Sequence, residues 1–560
     1  MKTKLKMGCA FLGMTLPLLT TSCLTLKWEN DDDKNIEQRA LELVNYSREY
    51  KIKNNKMNLY FVEKGNVPYV DVDETIRTLK GYFDLKTYFS YKKIFRPQIA
   101  FSSKSGEIVF DWKNNEIYFK NVGYDNFTEQ TLETNYSKNL KYAISFYKDY
   151  SPNNIVLSLD KYKFDILRHK GKIMIPFALF NTLFCSENYF NLYYTGQKVL
   201  AADFGMSDHI ENIEQIKKSE FNSQLAPEDV RHATYNHLAL VMDHYYGLRK
   251  HKKIDDFEAK YLSAHKDQFL SQDAKVYSSA YGKFFHGYLD ELHTSISSLS
   301  FYDDPKRKVF DLGEDTKSDF RVKYAEKRLF LTQQRKINWD NKVLRFIDDE
   351  TAVISFDQFS TGTKEQLQSA EPYKYDTYEL FKKAFEAIEA KPSIKNIVID
   401  LSLNGGGNVA AMWRTLGFLT DKKIKHHSYN VLDQTLSTTD IQVDIDGDGK
   451  YDKDAYSQYN WLVQTSINTF SAANQFANIA KEMKIAKIIG QKSGGGACSV
   501  LPVVLVDGTT VVISSNNSLL TQKGNEFKIV EDGIEPDLTI DYPDFYKDQV
   551  LSQVIKNSEE

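Results

Sequence analysis

The stretch "QTSINTFSAANQFANIA", residues 464–480, places Ser471 where a run of small and branched residues gives way to a helix-forming run. A serine there has two readings. As a nucleophile it would have the Ala472 amide and the positive end of the helix dipole facing an oxyanion formed on its target; as an N-cap it would only satisfy the first helical turn. Upstream, "VIDLSLNGGGNVAAMW" runs from a buried strand, residues 396–401, into Gly405, Gly406 and Gly407 and then into a helix. Glycines at such a turn let backbone N–H groups face a concavity that holds negative charge, and the Gly-Lys-Ser/Thr of a phosphate loop is absent. A third stretch, "VDIDGDGKYDKDAY", sets Asp444, Asp446, Asp448 and Asp452 at positions 1, 3, 5 and 9 of an EF-hand-like loop, with Gly449 at the sharp turn and the Lys450 carbonyl at position 7. The closing acid is missing, because Ala455 stands there. The stretch therefore reads either as a structural calcium site or as an acidic surface loop.

The elements around these residues fall into an order. From about 337 onward strand and helix alternate: "TAVISFDQF", "YDTYELFKKAFEAIEA", "IKNIVIDLS", "GGNVAAMWRTLGFLT", "WLVQTSI", the helix after Ser471, "AKIIG", "VVLVDGTTVVISS" and "EPDLTIDY". Continuous apolar strands between amphipathic helices imply an α/β layer on a largely parallel sheet, expected over 301–547. Residues 206–300 carry apolar positions at helical spacing and are expected to form a helical subdomain. Its His232, His237 and His244 are five and seven apart, which does not set two ligands around one metal, so they read as solvated or capping histidines. Residues 57–205 show short alternating runs and predict an α+β or mostly β accessory region. Within it "VPYVDVDETIRTL" and "MIPFALFNTLF" echo each other. The layout loosely resembles the copper-amine-oxidase N-terminal-like module of secreted bacterial proteins.

The 560 residues are 42% hydrophobic and 26% charged, with a formal charge of −4. That balance describes a globular protein and excludes disordered and nucleic-acid-binding classes. "MKTKLKMGCAFLGMTLPLLTTSC" opens on lysines, continues with an apolar run too short to span a membrane comfortably, and ends in small residues before Cys23; residues 1–22 read as a secretory signal. The "LTTSC" ending resembles the lipobox of bacterial lipoproteins. By that likeness Cys23 is the lipidated first residue of the mature chain, with 23–56 a solvated tether and the protein extracytoplasmic. Only Cys185 and Cys498 remain beyond it, so no disulfide framework exists.

Taken in order, "DLSLNGGG", "TFSAAN", "IIGQKSGGG" and "DGIEPDLTI" resemble the tail-specific, or C-terminal processing, serine peptidases and their tricorn-like and retinoid-binding-protein-like relatives. The family pattern runs Asp-Leu-Arg-x-Asn-x-Gly-Gly, Ser-Ala-x-Glu, Gly-Glu-x-Thr-x-Gly and Gly-Val-x-Pro-Asp. The resemblance implies a ClpP/crotonase-like layered core over about 340–542, Ser471 as nucleophile, and Ala472 with Gly406 as oxyanion-hole donors. It also exposes departures: Ser402 replaces the arginine, Asn474 the glutamate and Ser493 the threonine. The position of the family's catalytic lysine, 25 residues past the serine, is Gly496. Lys492 is not at the base position of the motif. Relatives with Gly-Gly at this point use a histidine in a segment resembling Asp-x-His-Thr, and "LDELHTSISSL" offers His293 followed by Thr294. The same relatives supply a glutamate near the last motif, which matches Glu531, beside Asp532.

The stretch between His293 and Thr351 is too short for the PDZ domain common in processing peptidases, and several of its pieces read as strands of the core. The function implied is a secreted or lipid-anchored serine endopeptidase acting on peptides or proteins, working through Ser471, His293 and Glu531. Acyl transfer needs no cofactor, and a Ca2+ ion in the acidic loop would be structural. The alternative is a catalytically silent peptide- or lipid-binding lipoprotein on the same fold. Oligomeric state is not legible.

Overall fold

The computed structural model describes residues 33–559 except 94–95, 104–105, 121–127, 130–135, 148–154, 205–215 and 452–455. The signal segment, Cys23 and Asp452 lie outside the described residues.

The N-terminal part builds two sheets. One has seven strands in the order Leu167–His169, Lys172–Pro176, Pro68–Asp71, Asn55–Val62, Ile36–Asn45, Lys198–Asp203 and Phe190–Tyr194. The two echoing pieces adjoin in it: Pro68–Asp71 pairs antiparallel with Lys172–Pro176, and each leads into a short helix. The strand Ile36–Asn45 corrects an expectation. It falls in the segment read as tether, yet it pairs with Asn55–Val62 and with Lys198–Asp203. Its mostly exposed faces kept it polar, so the composition masked an extended segment whose backbone is paired on both sides. The second sheet is an antiparallel meander of five strands running from Phe89–Lys92 to Ile155–Ser158.

Helices dominate residues 228–288. In the first of them, Glu228–Tyr245, the apolar face turns inward and takes two of the three histidines with it. His237 is fully buried with Nε2 2.9 Å from Thr182 Oγ1, and His244 lies 3.0 Å from the Tyr162 hydroxyl. Burial drives both imidazoles down, to about 3 and about 4. Solvated or capping histidines were expected; of the three His232 is exposed, His244 half-buried and His237 buried.

The C-terminal core is a layered α/β structure. Its six-stranded sheet runs Leu344–Phe346, Thr351–Ser355, Asn396–Asp400, Asn460–Thr465, Lys487–Gly490, Leu538–Thr539, parallel throughout except for the first pair. Parallel strands are buried on both faces, which is why these read as unbroken apolar runs. Ile354, Ile397, Ile399 and Val463 face the helices Thr377–Glu389, Val409–Leu416 and Ala472–Glu482. Val353, Val398, Leu462 and Ile489 face Leu331, Trp339, Tyr546 and Leu551. Each such side chain contributes roughly 1.5–3 kcal/mol by leaving water.

The helix that carries Leu331 and Trp339, Asp319–Trp339, occupies the stretch where strands were expected. Only Leu331, Arg335 and Trp339 on it are buried, so its helical period is faint in the sequence. Ser318 caps it, accepting the Arg321 N–H at 3.2 Å.

A further sheet is centred on the long strand Thr510–Lys523 and is assembled from distant parts of the chain. Ser295–Ser298 pairs with the first half of that strand, and Ile424–Asn430 with the second. Leu436–Val443 and then Leu140–Phe146 follow outward. Cys498–Val504 and Glu526–Ile529 also pair with Thr510–Lys523. Two of its strands thus come from the accessory and helical regions. Tyr136, just before Leu140–Phe146, is buried in the peptidase-side core and hydrogen-bonds Asp376. No helix among the described residues is long and apolar enough to cross a membrane.

Candidate active site

Ser471 is the N-cap residue of Ala472–Glu482 by position, but its hydroxyl makes no capping hydrogen bond. Its backbone sits at φ +57, ψ −124. A non-glycine residue there costs on the order of 1–3 kcal/mol, and such strain concentrates where function requires it. The conformation is held by the Ser471 N–H donating to Gly495 O at 2.9 Å and the Gln475 N–H donating to Ser471 O at 2.9 Å. The Ala472 N–H donates to no group among the described residues.

The glycine turn lies against this corner. Gly406 has φ +109, and a Cβ placed on it would meet Ser471 Cβ at 2.7 Å, Phe470 O at 2.9 Å and Ala472 N at 3.0 Å. Only glycine brings the two segments this close. The Gly406 N–H, however, donates to Asn404 Oδ1 at 2.9 Å. The amide expected in the oxyanion hole is therefore engaged in this conformation, because the short Asn404 side chain reaches back over the turn that follows it.

His293 arrives from the end of the helical region and is 7% exposed. Its ring packs on that of Phe470, the residue before Ser471, with centroids 4.6 Å apart. Nδ1 is buried without a partner among the described residues, and no hydrogen bond joins the imidazole to Ser471. Burial pushes the imidazole down to about 4, so it is neutral at physiological pH.

Glu531 lies nearby, yet the contact expected between it and the imidazole is not made. Its Oε2 accepts the Ala497 N–H at 2.7 Å. The close approach depends on Gly495, where a Cβ would fall 1.7 Å from Glu531 O. The residue that does touch the histidine segment is Glu291, which the sequence reading missed. Glu291 Oε2 accepts the His293 N–H at 2.7 Å, and Oε1 accepts from Thr294 Oγ1 and, at 3.0 Å, from Ser514 Oγ. Glu291 stands at the first position of the Asp-x-His-Thr-like segment, which was the available signal. Burial, together with the other's charge, raises Glu531 to about 8. Glu291 is raised as well, chiefly by burial. Both carboxyls line a cavity of about 620 Å3 with Lys252, Asp290 and Ser493.

These shifts carry a sign. A raised carboxyl contributes stability that is complete below its unfolded value of 4.5 and lost as pH climbs through about 8. A depressed imidazole such as His293 works the other way, with stability lost as pH falls from 6.5 through about 4. Glu531→Gln should therefore raise Tm by an increment that grows between pH 5 and 8, at up to about 1.4 kcal/mol per pH unit. Thermal melts at pH 5, 6.5 and 8 check this; an equal shift at all three would contradict a buried protonated carboxyl.

The helix Asp319–Trp339 fixes the parts relative to one another. Its Arg321, Arg328 and Arg335 recur every seven residues and so share one face. Arg321 donates to the carbonyls of Glu291 (2.6 Å) and Thr294, flanking His293. Arg328 donates to Leu403 O at 2.9 Å, just before the glycine turn. Arg335 makes a bidentate pair with Asp357, both bonds at 2.7 Å, and its charge faces buried Asp400. The departures from the family pattern find local partners. Ser402 Oγ donates to Asp400 Oδ1 at 2.5 Å, and Asn474 Oδ1 accepts from Ser493 Oγ at 2.7 Å, so two of the departures bond to each other.

Lys492 pairs with Glu535 at 3.0 Å and is half-exposed. In the acidic loop, carboxylate oxygens of Asp444, Asp446 and Asp448 lie within 4.8 Å of one another, a spacing compatible with a calcium ion's oxygen shell. The Lys450 ammonium, 2.6 Å from Asp448 Oδ2, occupies part of that charge.

No curated protein matches the chain. Among solved structures, a candidate peptidase from Parabacteroides merdae is 17% identical, covering 58% of this chain and 97% of its own at a TM-score of 0.40. Mature CPAF is 12% identical over 59% and 96%, also at 0.40. The photosystem II D1 C-terminal processing protease is 20% identical over 34% and 42%, at 0.24. Residues 350–540, which hold the strained serine and the glycine turn, match the model of peptidase family S41.

Proposed function

We propose that the protein is a secreted endopeptidase, anchored by lipid at Cys23, that cleaves peptide bonds through Ser471 and His293. The observation that carries the reading is Ser471 itself: a non-glycine residue held at φ +57 with its hydroxyl unspent on capping. In the reaction Ser471 Oγ bonds to the scissile carbonyl carbon while its proton passes to the neutral imidazole of His293. The carbonyl oxygen becomes an oxyanion facing the Ala472 N–H and the N-terminus of the helix. The Gly406 N–H joins it once the Asn404 side chain turns away. Collapse breaks the C–N bond, and the imidazolium proton goes to the leaving amine. Water then adds to the acyl-enzyme, giving its proton to the imidazole, and the second collapse returns the proton to Oγ.

Glu531 makes no contact with the imidazole; Glu291, which lines the same cavity as Glu531 and accepts the His293 N–H, positions the histidine segment. The imidazole is neutral at pH 7, so its ring nitrogen is free to accept the serine proton.

A fluorophosphonate probe tests the reading, since it bonds to an activated serine Oγ with loss of fluoride. Stoichiometric labelling of the wild type and none of Ser471→Ala is expected; a folded wild type that stays unlabelled would leave the silent, peptide- or lipid-binding alternative. Anchoring is tested separately by growing producing cells with a radiolabelled fatty acid. The label should enter the protein and disappear in Cys23→Ser; label-free protein would mean plain secretion.

A further inference from the structure

A second cavity, of about 790 Å3, opens beside the one lined by Glu291 and Glu531. Its floor is apolar: Tyr429, Leu436, Leu520, Phe527 and Ile529, from four strands of the sheet centred on Thr510–Lys523, with Val431 just past the end of one of them. Its rim is polar, with Lys250, His251 and Gln522. A concave site of this size with an apolar floor and few polar groups is the ordinary form of a ligand pocket. Nothing in the catalytic steps uses it.

Three features point to its occupant. His251 lines both this cavity and the one holding Glu291 and Glu531, so the two spaces adjoin. Ile529 and Glu531 stand two residues apart, at most about 7 Å along the chain, one in each cavity. The strand Glu526–Ile529, finally, pairs on one side only among the described residues, with Thr510–Lys523. Its other edge offers unpaired N–H and C=O groups to an extended peptide, the arrangement by which sheet edges bind strands while alternate side chains enter pockets. A chain passing from the Ser471 corner, where Gly495 bonds Ser471 and packs against Glu531, along this edge would lay a side chain over Phe527 and Ile529.

We propose that this cavity is a specificity subsite for a large apolar or aromatic side chain of the extended peptide substrate, a few residues from the bond that is cut. The proposal rests on the peptidase reading above. His251, held 3.3 Å from Asp532, forms the partition between the two spaces. Lys250, stacked 4.4 Å from the Tyr429 ring, keeps the mouth of the pocket polar and excludes a cationic side chain there.

The test uses the full-length Ser471→Ala protein, which binds without cutting. Fluorescein-labelled ten-residue peptides, identical except for Phe, Leu, Ala or Lys at one scanned position, are titrated and followed by anisotropy. At one position Phe and Leu should bind at least about tenfold more tightly than Ala, or about 1.4 kcal/mol, with Lys weakest. One rim and one floor variant then probe the pocket: Gln522→Trp, which fills it, and Phe527→Ala, which removes part of its floor. Each should bring the Phe-to-Ala ratio towards one, with circular dichroism confirming the fold. Equal binding of all peptides, or a preference that survives both variants, would overturn the subsite. So would saturable binding of a fatty acid that competes with no peptide, since the cavity would then serve a lipid. An apolar preference lost in the variants, alongside a wild type that never labels with fluorophosphonate, would retain the subsite and sink the peptidase reading.

Discussion

Replacing His293 by alanine should lower kcat on the order of 10^4–10^6-fold while leaving the protein folded. The size follows from serine hydrolases, in which removing the base costs about as much as removing the nucleophile, because the two act as one unit. The fold should survive because the polar bond that holds this segment in place is made by the His293 backbone N–H to Glu291, and alanine keeps it. What is lost is the imidazole packed on Phe470, the residue before Ser471. Activity and fluorophosphonate labelling should fall together, with circular dichroism unchanged. Lys492→Ala serves as the contrast, since its ammonium is spent on Glu535, and should retain activity within about threefold. Full activity in His293→Ala would refute the assignment.

The second large effect is expected from Gly406→Ala. The added methyl must occupy space 2.7 Å from Ser471 Cβ and 3.0 Å from the Ala472 nitrogen, at a backbone φ of +109 that alanine resists. Either Ser471 is pushed off its strained geometry or the turn swings away, taking its amide with it. Loss of one oxyanion donor is worth about 10^2–10^3 in kcat, and the displacement should cost about 1–3 kcal/mol of stability besides. Gly171→Ala separates the two causes. It has φ +83 with nothing within 4 Å of its would-be Cβ, so it pays for conformation alone and should keep its activity. Equal kcat for both variants would mean that the turn has no part in the chemistry.

Different parts of this site were legible to different degrees. The parallel layer was readable because its strands are buried on both faces and their apolar runs carry no competing period. Ser471 and Gly406 were readable as a strand-to-helix corner and a glycine turn, but local sequence could not separate nucleophile from cap; the unspent hydroxyl and the positive φ are what the proposed nucleophile rests on. His293 lies at a helix end like many histidines, and only the order of motifs singled it out. Glu291 escaped because acidic residues are common and its burial is set by Ser514, more than 200 residues away in the chain. The helix Asp319–Trp339 lies in a stretch where strands were expected, because three buried residues in twenty-one leave little apolar period. Strand Leu140–Phe146 could not be placed either, since its register partner is Leu436–Val443, across a gap that no local pattern bridges.

The sheet around Thr510–Lys523 has a consequence for when the enzyme can act. His293 is carried directly into Ser295–Ser298, which is anchored by pairing Ile296 with Val511. The strand that anchors it is synthesised after Ser471, near the end of the chain, and contacts this distant in sequence form late in folding. A growing or partly folded chain therefore has a nucleophile without its proposed base. On the proposed mechanism, proteolytic competence arrives only once Thr510–Lys523 has paired with Ser295–Ser298.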